Sequence, residues 1–168
     1  SISAYDDGGY GADAGPHEDS PLARLDDPTV EAVTGATYGG LKVLCEEAAQ
    51  QAFGARCLVS RPGLIVGPHD PTGRFTWWPA RLARAADDGQ PVLAPGTPDR
   101  PLQVIDARDL AAWMLRLIDQ GASGAFNAVS PPGAITWGSL LGACAAAAGA
   151  QPLLRWVPDD VLLAQGVG

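Results

Sequence analysis

From residue 34 onwards, apolar and polar positions follow a pattern that predicts a helix and then a buried strand. Over 34–53 the apolar positions recur at helical spacing and form one stripe: Leu41, Leu44, Cys45, Ala48 and Ala52. Thr34 is the expected N-cap of this helix, and Gly54 is its expected C-terminal stop. The apolar run at 56–60 is typical of a buried strand. A helix followed by a buried strand is half of an α/β repeat, so we predict an α/β fold.

The same alternation continues to the end of the chain. Helical spacing predicts further helices over 75–88, 109–120, 136–148 and 159–165, the last two capped by Thr136 and Asp159. Short apolar runs predict strands over 91–95, 102–105, 125–129 and 153–157.

Residues 6–33 contrast with the rest because they are acidic, rich in Gly and Pro, and without periodicity. This composition predicts a long loop. Loops of that length in compact domains commonly form lids or binding segments, and we interpret residues 6–33 as an acidic lid loop. A disordered surface excursion is the alternative.

Composition narrows the functional classes. The chain has 168 residues, 46% hydrophobic and 18% charged, which suits one domain with a core. Its net charge of -8 counts against a nucleic-acid surface, and no apolar stretch reaches the roughly 18–20 residues of a membrane span. Three cysteines without a C-x-x-C pair and two isolated histidines, His17 and His69, predict neither a disulfide framework nor a metal site. We expect a cytoplasmic protein.

Tyr38 and Lys42 are the first candidates for catalytic residues. Lys42 is the one Lys among 11 basic residues, and it follows Tyr38 by four positions on the first predicted helix. That spacing puts both side chains on one helix face. An ammonium near a phenol favours the phenolate, which suits a tyrosine to acid/base chemistry near neutral pH. With three Tyr and one Lys, chance gives this spacing about 2% of the time, and an ordinary exposed pair is the alternative.

Three segments, TYGGLKVLCEEA, RPGLIVGPHDPTGRF and PLQVIDARDLAAWMLRL, together resemble the extended short-chain dehydrogenase/reductase superfamily, that is, the NAD-dependent epimerase/dehydratase family. The resemblance covers nearly the whole chain and is nearest to the atypical branch of reductases and epimerases, which also has RNA-binding relatives. It implies the second half of a Rossmann-like doubly wound parallel sheet, plus a small C-terminal substrate-binding α+β portion. Residues 1–70 would complete the NAD(P)-binding domain, and 71–168 would form the substrate side, interleaved with the last core strands and helices.

The resemblance also implies roles for individual residues. Tyr38 matches the catalytic Tyr that moves a proton to or from the reacting oxygen. Lys42 matches the Lys that assists this Tyr and hydrogen-bonds the nicotinamide ribose. Ser1, four residues before Tyr5, matches the hydroxyl that polarises the substrate oxygen, with Ser3 as the alternative.

The cofactor implied by the resemblance is NAD or NADP. Arg61, Pro62 and Gly63 match the strand end whose backbone meets the nicotinamide. The Gly-rich turn that holds the pyrophosphate in this family does not occur in the sequence. We therefore expect a C-terminal fragment of a longer protein that lacks the Gly-rich N-terminal half.

Two further departures concern the substrate. Sugar-nucleotide enzymes of the family hold the substrate diphosphate with an Asn and an Arg at the positions of Leu64 and Leu102. We therefore expect a small carbonyl- or hydroxyl-bearing substrate that is not a nucleotide sugar. Arg74 is the remaining candidate for binding an anionic group of that substrate, and a solvated Arg at a helix start is the alternative reading.

The predicted function is thus that of a reductase-like NAD(P)-dependent oxidoreductase or epimerase. The alternative is a non-catalytic scaffold or RNA-binding relative, against which the net charge and the retained Lys42 both count. The helix of Tyr38 often packs against a second copy in this superfamily, so a homodimer is the expected assembly.

Overall fold

The structure, a computed structural model, describes residues 1–6, 15–131 and 133–166, which divide into two compact units. The first unit comprises Ser1–Ile65 and Gln103–Pro132, and the second comprises Val66–Leu102 and Gly133–Gly168. The helices are α1 (Tyr38–Phe53), α2 (Trp77–Asp88), α3 (Ala107–Asp119), α4 (Trp137–Ala147) and α5 (Asp159–Ala164). The strands are β1 (Leu58–Pro62), β2 (Leu64–Val66), β3 (Val92–Pro95), β4 (Val104–Asp106), β5 (Gly124–Ala128) and β6 (Leu154–Val157). The predicted α/β class is confirmed.

The first unit is organised around the parallel pair β1 and β5, in register from Leu58 opposite Gly124 to Pro62 opposite Ala128. β2 pairs with β4 in another two-stranded sheet. Asp106 ends β4 and also caps α3, because its carboxylate accepts a hydrogen bond from the backbone N–H of Arg108 at 2.8 Å. Trp113 of α3 contacts Phe126 of β5 edge to face, which fixes the helix on the strand pair.

The second unit is built on the parallel pair β3 and β6. Its core contains the buried residues Leu82, Ala85, Val92, Ala94, Leu141 and Cys144. Burial raises the pKa of the Cys144 thiol. The predicted N-cap of α4 is confirmed, since Thr136 and Ser139 form a reciprocal capping box.

Two predicted N-caps are wrong: Thr34 for α1 and Asp159 for α5. α1 begins at Tyr38 rather than near residue 34, because the Thr34 and Thr37 hydroxyls hold a turn just before it. The Thr34 hydroxyl accepts from the Thr37 N–H at 3.2 Å, and the Thr37 hydroxyl donates to the Ala32 carbonyl at 2.6 Å. At α5 the N-cap position is Pro158 rather than Asp159, which is the first residue of the helix.

The predicted buried stripe of α1 is also wrong. The buried residues of this helix are Gly40 and Val43, whereas Cys45 is exposed. Gly40 takes the inner position because a Cβ there would lie 2.5 Å from Leu25 Cγ, so the Leu25 side chain packs directly on the backbone of the helix.

The predicted loop over 6–33 is described from residue 15 onwards, and residues 7–14 lie outside the described residues. The described part contains turns and a single bridge between Tyr5 and Leu22. Its role as a lid stays a prediction.

Within the described ranges, no helix combines the length and apolar character needed to cross a membrane. In the same ranges, no three His, Cys, Asp or Glu side chains gather into a group that could hold a metal ion.

Candidate active site

The first turn of α1 approaches the N-terminal segment unusually closely. A Cβ at Gly39 would lie 2.4 Å from the carbonyl oxygen of Ser3, so the approach requires glycine. Glycine in a helix costs about 1 kcal/mol relative to alanine, and the contact with Ser3 is the physical reason for it here. The backbone next to Tyr38 is thereby held against the backbone of Ser3.

Tyr38 lines a cavity of about 1190 Å³ in the first unit. The walls are formed by residues between Ile2 and Gly39, and they include Ser3, Asp6 and Arg24. Tyr38 is 39% exposed, which leaves it accessible to a ligand in this cavity.

The two predicted serines occupy different places. Ser3 lies on the cavity wall, as does Tyr38. Ser1 caps the 3-10 helix Ile2–Ala4, and its hydroxyl donates to Ser3 Oγ at 3.2 Å. The structure therefore places Ser3 rather than Ser1 on the cavity wall with Tyr38.

Lys42 lies beside Tyr38 as the helical spacing predicts. Its Nζ is 5.3 Å from the centroid of the Tyr38 ring. Among the described residues, neither the Tyr38 hydroxyl nor Lys42 Nζ has a hydrogen-bond partner, so both can bind hydroxyl groups of a ligand. A phenol and an ammonium are suitable partners for ribose hydroxyls, so this pair fits the nicotinamide-ribose end of NAD or NADP.

Arg61 is directed into the protein rather than towards a ligand. It is 5% exposed and forms an ion pair with Glu46 of α1, with 2.7 Å between Nη2 and Oε2. Its Nη1 donates to the Tyr5 hydroxyl at 2.8 Å. Burial alone would lower the pKa of Arg61, but the hydrogen bonds to Glu46 and Tyr5 and the Glu46 charge raise it overall.

The strand end formed by Arg61, Pro62 and Gly63 presents only its backbone. Pro62 ends β1, and a Cβ at Gly63 would lie 3.3 Å from Gln103 Cβ and from Val129 Cγ1. Gly63 is thus closely packed within the first unit. Whether this backbone meets a nicotinamide stays a prediction.

A hydrogen-bond network around Tyr5 was missed by the sequence analysis. The Tyr5 hydroxyl donates to Asn127 Oδ1 at 2.8 Å, and the Asn127 N–H donates to a Glu18 carboxylate oxygen at 2.8 Å. Asn127 Nδ2 also donates to the Pro16 carbonyl at 3.1 Å. The backbone hydrogen bond from Asn127 lowers the pKa of Glu18. The sequence contains one sign of this network. Glu46 follows Lys42 by four residues, so its carboxylate lies on the same side of α1 as Lys42.

Arg74 belongs to the second unit, in the loop three residues before α2. Its Nε donates to the Thr72 hydroxyl at 3.1 Å, and that hydroxyl donates to Asp70 at 2.6 Å. The Thr72 hydrogen bonds lower the pKa of Asp70. The role of Arg74 towards a substrate stays a prediction.

The second unit has its own cavity of about 620 Å³. Its walls are mainly apolar and aromatic, with one ion pair: Trp77, Trp78, Leu93, Pro95, Leu162, Leu163, Arg100 and Asp159. Trp78 packs against the core of the second unit, whereas Trp77 is 48% exposed. Trp77 is therefore available for stacking with a planar ligand.

Comparison with protein families gave one match. The NAD dependent epimerase/dehydratase family matches residues 10–128, which is more than half of the chain. A comparison with curated proteins found no match.

Solved structures with a similar fold carry nicotinamide cofactors. One is dTDP-glucose 4,6-dehydratase from Bacillus anthracis in complex with NAD, with a TM-score of 0.61 at 13% identity. The match covers 94% of this chain and 47% of the dehydratase chain. UDP-glucose 4-epimerase from Thermus thermophilus, also with NAD, has a TM-score of 0.52 at 19% identity, with coverage of 87% and 54%. RMD from Pseudomonas aeruginosa, complexed with NADPH, has a TM-score of 0.51 at 20% identity, and the match covers 70% of this chain and 41% of the RMD chain.

These likenesses confirm the predicted partial Rossmann-like α/β fold. This chain spans about half the length of the solved structures that it resembles.

Proposed function

The chain belongs to the NAD-dependent epimerase/dehydratase family, and on that premise we propose that it carries the acid/base part of an NAD(P)-dependent oxidoreductase or epimerase. One observation supports this proposal more directly than the others. Tyr38 lies on a cavity wall with Lys42 beside its ring, and among the described residues neither polar group has a hydrogen-bond partner. Such a pair can move a proton at a ligand oxygen.

In the proposed reaction, Tyr38 takes the hydroxyl proton of the substrate as the alcohol becomes a carbonyl, and it returns that proton in the reverse direction. Lys42 supplies a positive charge beside the Tyr38 ring, with 5.3 Å between Nζ and the ring centroid. The Ser3 hydroxyl, on the same cavity wall, donates a hydrogen bond to the substrate oxygen. NAD or NADP, when bound, accepts or supplies the hydride. Tyr38 and Lys42 are the residues of this chain that would hold its nicotinamide ribose.

We further propose a small carbonyl- or hydroxyl-bearing substrate without a nucleotide. Leu64 and Leu102 support this, because neither apolar side chain can bind a diphosphate. Arg74 is our proposed residue for an anionic group on that substrate.

A nucleotide sugar is the second candidate substrate. It is favoured by the relatives described as a dTDP-glucose dehydratase and a UDP-glucose epimerase, and by the exposed Trp77 in the cavity of the second unit. A nucleobase could stack on such a ring.

The test is turnover by the full-length protein with NADH and NADPH. We expect cofactor oxidation with small aldehydes or ketones, and a loss of at least about tenfold in kcat/KM on Ser3→Ala. Ser1→Ala is the matched control, since Ser1 does not line the cavity, and we expect a smaller effect. Turnover with nucleotide sugars alone would favour the second candidate. Absence of turnover with both classes, together with RNA binding, would favour the non-catalytic alternative. We also propose a homodimer, which light scattering of the full-length protein would test.

A further inference from the structure

Tyr5 is 2% exposed, and its hydroxyl lies between two groups of hydrogen bonds. It accepts from Arg61 Nη1 at 2.8 Å and donates to Asn127 Oδ1 at 2.8 Å. The Arg61 guanidinium carbon also lies 4.8 Å from the centroid of the Tyr5 ring. A single oxygen atom therefore connects the two groups.

The first group holds α1 to the end of β1. Nε and Nη2 of Arg61 donate to the Glu46 carboxylate at 3.1 and 2.7 Å. Glu46 follows Lys42 by four residues and Tyr38 by eight, so the three side chains lie along one side of α1. The ion pair thus fixes the side of the helix that carries Tyr38 and Lys42.

The second group holds the segment that lines the cavity of Tyr38. Asn127 donates from its backbone to Glu18 and from Nδ2 to the Pro16 carbonyl. The cavity wall includes Pro16 and the stretch 21–24 of the same segment. Ala23 N–H also donates to the Ala4 carbonyl at 2.8 Å, directly beside Tyr5.

We propose that Tyr5 is a positioning residue whose hydroxyl sets the lining segment 16–24 relative to the Tyr38 helix. This inference rests on the proposed function of Tyr38. Loss of the hydroxyl would leave Arg61 Nη1 and Asn127 Oδ1 without this partner inside the protein. Because buried polar groups need partners, the two sides would separate or rearrange, and the cavity would lose its shape against Tyr38.

The test is Tyr5→Phe in the full-length protein, which keeps the ring and removes one oxygen atom. We expect kcat/KM to fall about tenfold, mainly through KM, with unchanged NAD(P)H affinity. Asn127→Ala should act through the same link, so the double variant should be no worse than the more affected single variant. Ser130→Ala is the matched control, because it removes a 2.9 Å hydrogen bond to Gln103 outside this network. We expect it to leave kcat/KM unchanged.

Hydrogen–deuterium exchange gives a readout that does not depend on turnover. Tyr5→Phe should accelerate exchange in residues 16–24, and Tyr38→Phe should not. If Tyr5→Phe fails to fold, the exposed Glu18→Gln weakens the far end of the network and should accelerate the same amides to a smaller extent. Unchanged exchange in 16–24, or a lowered Tm with kcat/KM within twofold of wild type, would overturn the inference. Faster exchange in a protein without turnover would support the positioning role and refute only the catalytic proposal.

Discussion

Replacement of Gly39 by alanine tests the close approach that places Tyr38 beside Ser3. The new Cβ would lie 2.4 Å from the Ser3 carbonyl oxygen, whereas ordinary van der Waals contact begins at 3.4 Å. The two backbones must therefore separate by about 1 Å. The neighbour is backbone rather than a flexible side chain, so a change of rotamer cannot relieve the contact.

Two opposing terms determine the stability of Gly39→Ala. The higher helix propensity of alanine contributes about 1 kcal/mol, and forced shifts in packed regions cost about 1–3 kcal/mol. We expect a net loss of up to about 2 kcal/mol in the free energy of unfolding. A displacement of about 1 Å next to Tyr38 should also lower kcat/KM by up to about 100-fold.

Gly142→Ala is the matched control for this substitution. Gly142 lies in α4, and a Cβ added there would have no neighbouring atom within 4 Å, so the same change should stabilise by about 1 kcal/mol. Urea unfolding of both variants, with kcat/KM of each, provides the comparison. If Gly39→Ala is stabilised as much as Gly142→Ala and retains full activity, the proposed contact with Ser3 is refuted.

Three further predictions concern other parts of the chain. Leu141 is fully buried, so Leu141→Ala should lower the free energy of unfolding by about 2–5 kcal/mol; a urea midpoint equal to wild type would contradict the assigned core. The hydrogen bonds from Arg108 lower the pKa of Asp106 to about 2, so its stabilising effect on α3 is present above the ordinary value of 3.8 and disappears as the pH falls through about 2. Carboxyl NMR titration checks this, and a midpoint near 3.8 would refute the cap. Lys42→Met removes the ammonium that we propose binds the nicotinamide ribose, so the Kd for NAD(P)H should rise by about tenfold; a Kd equal to that of the wild type would contradict this role.

Local sequence pattern was sufficient to predict most elements and the central pair of the site. Helical spacing placed Lys42 beside Tyr38, and the structure has its Nζ 5.3 Å from the Tyr38 ring. Thr136 precedes an apolar run and was therefore predicted to cap a helix, and it is the N-cap of α4. These features depend on residues a few positions apart, which is the range over which periodicity and capping act.

The features that could not be predicted depend on contacts between distant segments. Arg61 is buried because Tyr5 and Glu46, 56 and 15 residues away, satisfy its guanidinium. The buried face of α1 is set by Gly40 against Leu25 rather than by the apolar stripe. Hydrophobic spacing alone predicts the wrong face where a glycine provides the closest packing.

The most direct test of the central claim is the kcat of Tyr38→Phe in the full-length protein, with NAD(P)H affinity measured alongside. Phenylalanine keeps the ring beside Lys42 and removes the group that moves the proton. We predict that kcat falls by about 10²–10⁴-fold, whereas NAD(P)H affinity falls by no more than about tenfold because Lys42 still binds the ribose. A kcat equal to that of the wild type, at unchanged cofactor affinity, would contradict the assignment of Tyr38 as the acid/base residue.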